Sequence, residues 1–136
     1  MAKRTRKKVN DNLGKKLASK KWRKNNLYTI VNERGAMVIY RQRPVQADYA
    51  GSKHGLDVIL KSRQHGFSTE TELDILDDAL FTPNLQCGII AHSIADAQTI
   101  FLTKIKTPYE QLHRHLREYY CKATKCDAGT LRLTNG

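Results

Sequence analysis

The sequence has no run of about 18 apolar residues, so nothing in it reads as a membrane-spanning helix. The opening stretch MAKRTRKKVND is basic, but no apolar segment follows it, which excludes a secretory signal. Cysteine is scarce. Cys87, Cys121 and Cys126 make an odd number in a chain without a signal, which fits a reduced intracellular setting better than a disulfide framework. Acidic residues are nearly missing from the first 24 positions, where Asp11 stands against eleven lysines and arginines. Internal repeats are absent, and the basic start is the only compositionally biased segment. What is present, 136 residues of which 40% are hydrophobic, suffices for one modest domain.

The net charge of +11 is concentrated at one end. Lys3, Arg4, Arg6, Lys7, Lys8, Lys15, Lys16, Lys20, Lys21, Arg23 and Lys24 leave residues 1–24 at +10 and the remaining 112 residues at +1. The expected organisation is therefore a basic flexible tail over residues 1–25, disordered or loosely helical, ahead of a nearly neutral domain over 26–136. Such a tail suits a polyanion, nucleic acid or an acidic protein surface; a solubilising or localising arm is the plainer alternative.

Within the domain, NLYTIVNERGAMVIY predicts a hairpin, with strands Leu27–Val31 and Ala36–Tyr40 around the turn NERG. Pro44 opens a short helix that Gly51 or Gly55 closes. LDVILKS reads as a buried strand, RQHGF as a turn, and STETELDILDDALF as an amphipathic helix with Leu73, Leu76 and Leu80 inward. Asp77 and Asp78 in that helix read as a solvated acidic face. LQCGIIAH reads as a second buried strand. Ser93 and Asp96 form a capping-box pattern, and Ile94, Ala97, Phe101 and Ile105 share a helical face behind them. Thr107, Pro108 and Glu110 predict a fresh helix start running through QLHRHLREYY, and TLRLTNG a last strand. Strand–helix alternation of this kind predicts a parallel α/β sheet.

The stretch KSRQHGFST, Lys61–Thr69, has the layout of a phosphate loop: a turn at Gly66, then hydroxyl residues opening a helix. In such loops backbone N–H groups point at phosphate oxygens, a lysine reaches the terminal phosphates, and a Ser or Thr binds Mg²⁺. By the strict pattern this stretch fails twice. Lys61 stands at the first glycine, and Phe67 at the lysine. An ordinary strand–turn–helix is the alternative. A cation at Lys61 or Arg63 would substitute for the missing lysine.

These residues resemble the deviant Walker A motif of the large terminase subunits of tailed bacteriophages, the DNA-packaging motor ATPases. Around them, NLYTIVNERGAMVIYRQRPVQADY resembles the family's N-terminal hairpin and adenine-contacting Gln motif. FTPNLQCGIIAHSIADAQTIFLTKIKTPYEQL resembles the strand and helix after Walker A, and LRLTNG the strand after those. The resemblance spans about residues 26–136. It implies a P-loop NTPase-like parallel sheet with flanking helices, incomplete, preceded by the hairpin and the tail. It implies ATP and Mg²⁺ as cofactors. Gln46 would contact adenine, Gln64, His65 and Gly66 would supply loop N–H groups, and Phe67 would stand in the lysine position. Lys61 or Arg63 would hold the terminal phosphates, Ser68 would ligate Mg²⁺, and Thr69 would support a phosphate oxygen. Tyr49 and His54 are candidates to flank the base; Tyr49 also reads as half-buried core.

The implied setting is the host cytoplasm and, transiently, the viral procapsid. The partners would be double-stranded DNA, the portal protein and the small terminase subunit, around a ring homo-oligomer, with no membrane. The Asp-Glu Walker B strand, the coupling motif and the nuclease acids have no counterpart here, so the expectation is an N-terminal portion of the ATPase that binds nucleotide without hydrolysing it. The rivals are half of a helicase-like ATPase, against which Phe67 argues, and a non-enzymatic nucleic-acid-binding module. A zinc site at His113, His115, Cys121 and Cys126 is disfavoured, because the two histidines do not share a helical face and the cysteines stand at the loose end of finger spacing, and no Ser-His-Asp or Cys-His nucleophile set is present.

Overall fold

The structure is a computed structural model and describes residues 12–62 and 65–135. Helical residues 12–18 (α1) lead into α2 (Lys20–Asn26), whose N-terminus is capped by Ser19 Oγ accepting from the Trp22 N–H. Strands β1 (Thr29–Val31) and β2 (Met37–Ile39) pair antiparallel in the register Ile30↔Val38, with Gly35 supplying the positive φ that the turn requires. Helix α3 (Pro44–Ser52) opens on its proline as expected. Helix α4 (Phe67–Phe81) is the centre of the molecule, and its Leu73, Leu76 and Leu80 are buried.

Beyond α4 the chain departs further from expectation. Helix α5 (Ile94–Phe101) starts at Ser93, whose Oγ accepts from the Asp96 N–H, but its Ile94 lies exposed. Thr107 is not a cap. The helix continues through a π-helical segment, Leu102–Lys106, into α6 (Thr107–Glu110). Thr107 donates from its N–H to the Leu102 carbonyl, five residues back. Pro108 is the physical reason. Proline clashes with the carbonyl four residues before it, and the wider π turn relieves that clash where an α turn would not. Helix α7 (Arg114–Tyr119) follows a break at Leu112. Strand β3 (Ala123–Cys126), which no sequence signal indicated, pairs antiparallel with β4 (Leu131–Leu133).

The fold is thus mixed α/β, with two small antiparallel sheets. The predicted strands LDVILKS and LQCGIIAH form no ladder. Val58 and Leu60 are 99% and 100% exposed, and Ile90 is 97% exposed. A strand is stabilised only by a neighbour that takes its N–H and C=O groups, and among the described residues neither segment has one.

Instead the core lies between α4 and what surrounds it: Tyr28 and Tyr40 from the hairpin, Ile105 and Tyr109 from the π–α6 stretch, and Cys121 and Leu133 from the C-terminal hairpin. Tyr109 Oη donates to the Cys121 carbonyl at 2.8 Å, and Asn135 Nδ2 to the Ala79 carbonyl at 3.0 Å, tying the last hairpin to the end of α4.

Candidate functional site

The polar side of α4 is the first correction to the sequence reading. Asp77 is not solvated; it is 0% exposed. Arg23 grips it, with Nη2 2.6 Å from Oδ2 and Nε 3.0 Å from Oδ1, and Tyr28 Oη donates to Oδ1 at 2.6 Å. One and two turns earlier on α4, Lys24 pairs with Asp74 at 3.0 Å and with Glu70. Lys20 reaches Asp78 at 2.6 Å and Asp74 at 3.0 Å, and Lys53 also pairs with Asp74. Burial alone would raise the Asp74 carboxyl, yet the ammonium groups of Lys53, Lys24 and Lys20 together outweigh it and hold the group well below the usual carboxylate range.

Lys20, Arg23 and Lys24, three cations of the expected tail, are therefore spent on α4, in a helix rather than a flexible arm. Lys15, Lys16 and Lys21 stay exposed. Lys3, Arg4, Arg6, Lys7 and Lys8 lie outside the described residues.

The same acidic row leads to the loop. Glu70 Oε2 is 2.5 Å from Tyr40 Oη, which is 2.9 Å from Gln46 Oε1. Burial, reinforced by the adjacent Glu70 carboxylate, pushes the Tyr40 hydroxyl far above its ordinary pKa, so it acts as a donor. Gln46 is only 2% exposed. Its Oε1 accepts from the Arg43 N–H at 2.8 Å, closing the first turn of α3, and its Nε2 donates to the His65 carbonyl at 3.1 Å. Gln46 therefore joins the start of α3 to the turn before α4. Gly66 follows His65 with φ 70°, and a Cβ there would meet Gln46 Nε2 at 2.7 Å. Both the left-handed backbone and the close amide require glycine.

Around this contact lies an open groove of about 660 Å³ between the β1–β2 hairpin and the start of α4. Val31 and Val38 form an aliphatic wall; Gln46, Gly66 and Thr69 form the opposite side. Among the described residues Arg34, Arg41 and Arg43 line the groove with a single acid, Glu33, which lies 3.5 Å from Arg43. The volume falls in the range of small-molecule sites. Among the described residues no side chain caps α4, whose first N–H groups have no partner within the helix.

Not every expected residue comes to the groove. Phe67 is buried edge-on against Tyr49, with ring centroids 5.7 Å apart, so its side chain belongs to the core. Ser68 is exposed and does not line the groove, whereas Thr69 does. Lys61 is exposed on the unpaired segment and does not line it either. His54 is exposed, its N–H donating to Asp57, and does not line it. His65 turns its ring to Ser62 Oγ at 2.7 Å. Arg63 and Gln64 lie outside the described residues.

Sequence reasoning missed Lys104. It projects from the π segment, lines the groove, and donates from Nζ to Thr69 Oγ1 at 2.6 Å. The sequence signal was Pro108, which places a π turn rather than a cap. Among the described residues no group of three or more His, Cys, Asp or Glu side chains is arranged to hold a metal ion, and no helix is long and apolar enough to cross a membrane. Comparison with protein-family models, with curated proteins and with solved structures finds no match to this chain.

Proposed function

We propose that this chain is the nucleotide-gripping part of a DNA-packaging ATPase of the terminase type, and that its groove takes the phosphates and base of ATP. One observation carries the reading. The glutamine that the resemblance assigns to adenine and the turn that it assigns to phosphate stand twenty residues apart, and they meet through Gln46 Nε2 and the His65 carbonyl at the edge of one groove. A left-handed glycine, a following helix start and a surplus of cations are what a polyphosphate needs. Gln46 itself is held at both ends of its amide, by the Arg43 N–H and the His65 carbonyl, so its part is to fix the turn as much as to read a base.

The metal fits less well than the phosphates. Lys104 already occupies Thr69 Oγ1, and the Ser68 hydroxyl is off the groove, so no step is assigned to Mg²⁺. Double-stranded DNA, the portal, the small subunit and the ring oligomer belong to the same proposal. So does the parallel sheet. Leu56, Val58 and Leu60 recur every second residue and are almost fully exposed, a pattern suited to a strand that has further strands beside it in the assembled motor.

Calorimetric titration of the 136-residue chain with ATP and Mg²⁺ tests the reading. Saturable binding is expected, and its loss in Gln46→Ala that stays folded by circular dichroism. No phosphate release is expected, because among the described residues the groove offers only Glu33, beside Arg43, where a water-activating carboxylate would be needed. A folded wild-type chain that binds no nucleotide contradicts the proposal.

A further inference from the structure

We infer that Lys104 is the cation that receives the terminal phosphates in this groove, in place of the lysine that Phe67 displaces, with the Thr69 hydroxyl beside it. The inference rests on the nucleotide reading above. Its first support is position. The π segment packs against both α4 and β1, the two elements that wall the groove, and so delivers Lys104 between them. A π turn carries one residue more than an α turn, so it resets the register between α5 and α6 at the place where Lys104 projects.

The second support is the state of the side chain. An ammonium has three donors, and Lys104 uses one on Thr69 Oγ1. Among the described residues it makes no salt bridge with a carboxylate. Burial lowers its pKa, and Glu72 offsets that only through space. Glu72 in turn keeps Oε2 buried without a hydrogen bond among the described residues. The cation is therefore half-desolvated and under-compensated, and a phosphate oxygen is the acceptor that would complete it.

The third support is elimination by placement. Lys61 is exposed and away from the groove. Of the other described cations that line it, Arg41 holds Asn26 Oδ1 and Arg43 faces Glu33, which leaves Arg34, exposed in the hairpin turn, besides Lys104.

Displacement of a fluorescent nucleotide by adenosine, ADP, ATP and inorganic tripolyphosphate reads the role. Wild type is compared with Lys104→Gln, Lys104→Arg and Lys61→Gln, each checked for folding by thermal melt. Lys104→Gln is expected to weaken ATP and tripolyphosphate by about tenfold or more, as loss of a charge-assisted hydrogen bond does, while adenosine is unchanged. Lys104→Arg should keep most of the affinity, and Lys61→Gln all of it. An unchanged ATP-to-adenosine ratio in Lys104→Gln overturns the inference and leaves the nucleotide reading standing. Lys104-dependent binding of tripolyphosphate, with no preference for ATP over it, sinks the nucleotide reading and leaves the cation in place. No binding of either by wild type sinks both.

Discussion

At the residue scale, the molecule rests on charges that composition alone would leave in water. Asp77, fully buried, has a two-oxygen grip from Arg23 and a hydroxyl from Tyr28, and Arg23 also lies 4.1 Å over the Phe81 ring. Lys20, by contrast, keeps about a third of its side chain in solvent. Breaking a buried pair strands the other charge, whereas an exposed pair contributes little. Arg23→Ala should therefore destabilise the fold by about 3–5 kcal/mol, and Lys20→Ala by about 1 kcal/mol or less. Urea unfolding measures both, and equal losses would contradict the buried network. The Cys121 thiol, pushed up to about 11 by burial, belongs to the same interior and is a packing group, not a nucleophile.

At the scale of elements, what was legible in the sequence was local. The hairpin, the proline start of α3, the leucine face of α4 and the Ser93 cap all follow from turn chemistry and periodicity within a few residues. What was not legible depended on distant partners. LDVILKS and LQCGIIAH have the composition of buried strands, but a strand is defined by what pairs with it, and here nothing among the described residues does. Strand β3 was invisible for the opposite reason. Ala123–Cys126 has little strand character, and it pairs because β4 lies beside it. The double substitution Val58→Lys and Leu60→Lys should accordingly shift the unfolding free energy by no more than about 0.5 kcal/mol. A loss of several kcal/mol in the same urea experiment would mean that the segment is packed after all.

At the scale of the whole molecule, the charge asymmetry takes on a different meaning. The excess of +10 in the first 24 residues is not all available to a polyanion, because Lys20, Arg23 and Lys24 neutralise the acidic row of α4 and bind α2 to the domain. That row ends at Glu70, one hydrogen bond from Tyr40 and two from Gln46, so the ionic face and the groove form one continuous polar system. The loop's layout and Gln46 were readable as candidates. Lys104 was not, because its place, thirty-eight residues from Gly66, depends on a π turn whose one sequence signal, Pro108, reads equally as a helix start.

The central claim is that nucleotide enters the groove between the hairpin and α4. An amide-resolved NMR titration of the ¹⁵N-labelled chain with ATP addresses it most directly. Shifts are expected at Gly66, Thr69, Val31, Val38 and the Gln46 side-chain amide, saturating together with one dissociation constant. Shifts confined to residues 12–24, or absent from Gly66 and Thr69 while the protein stays folded, would contradict it.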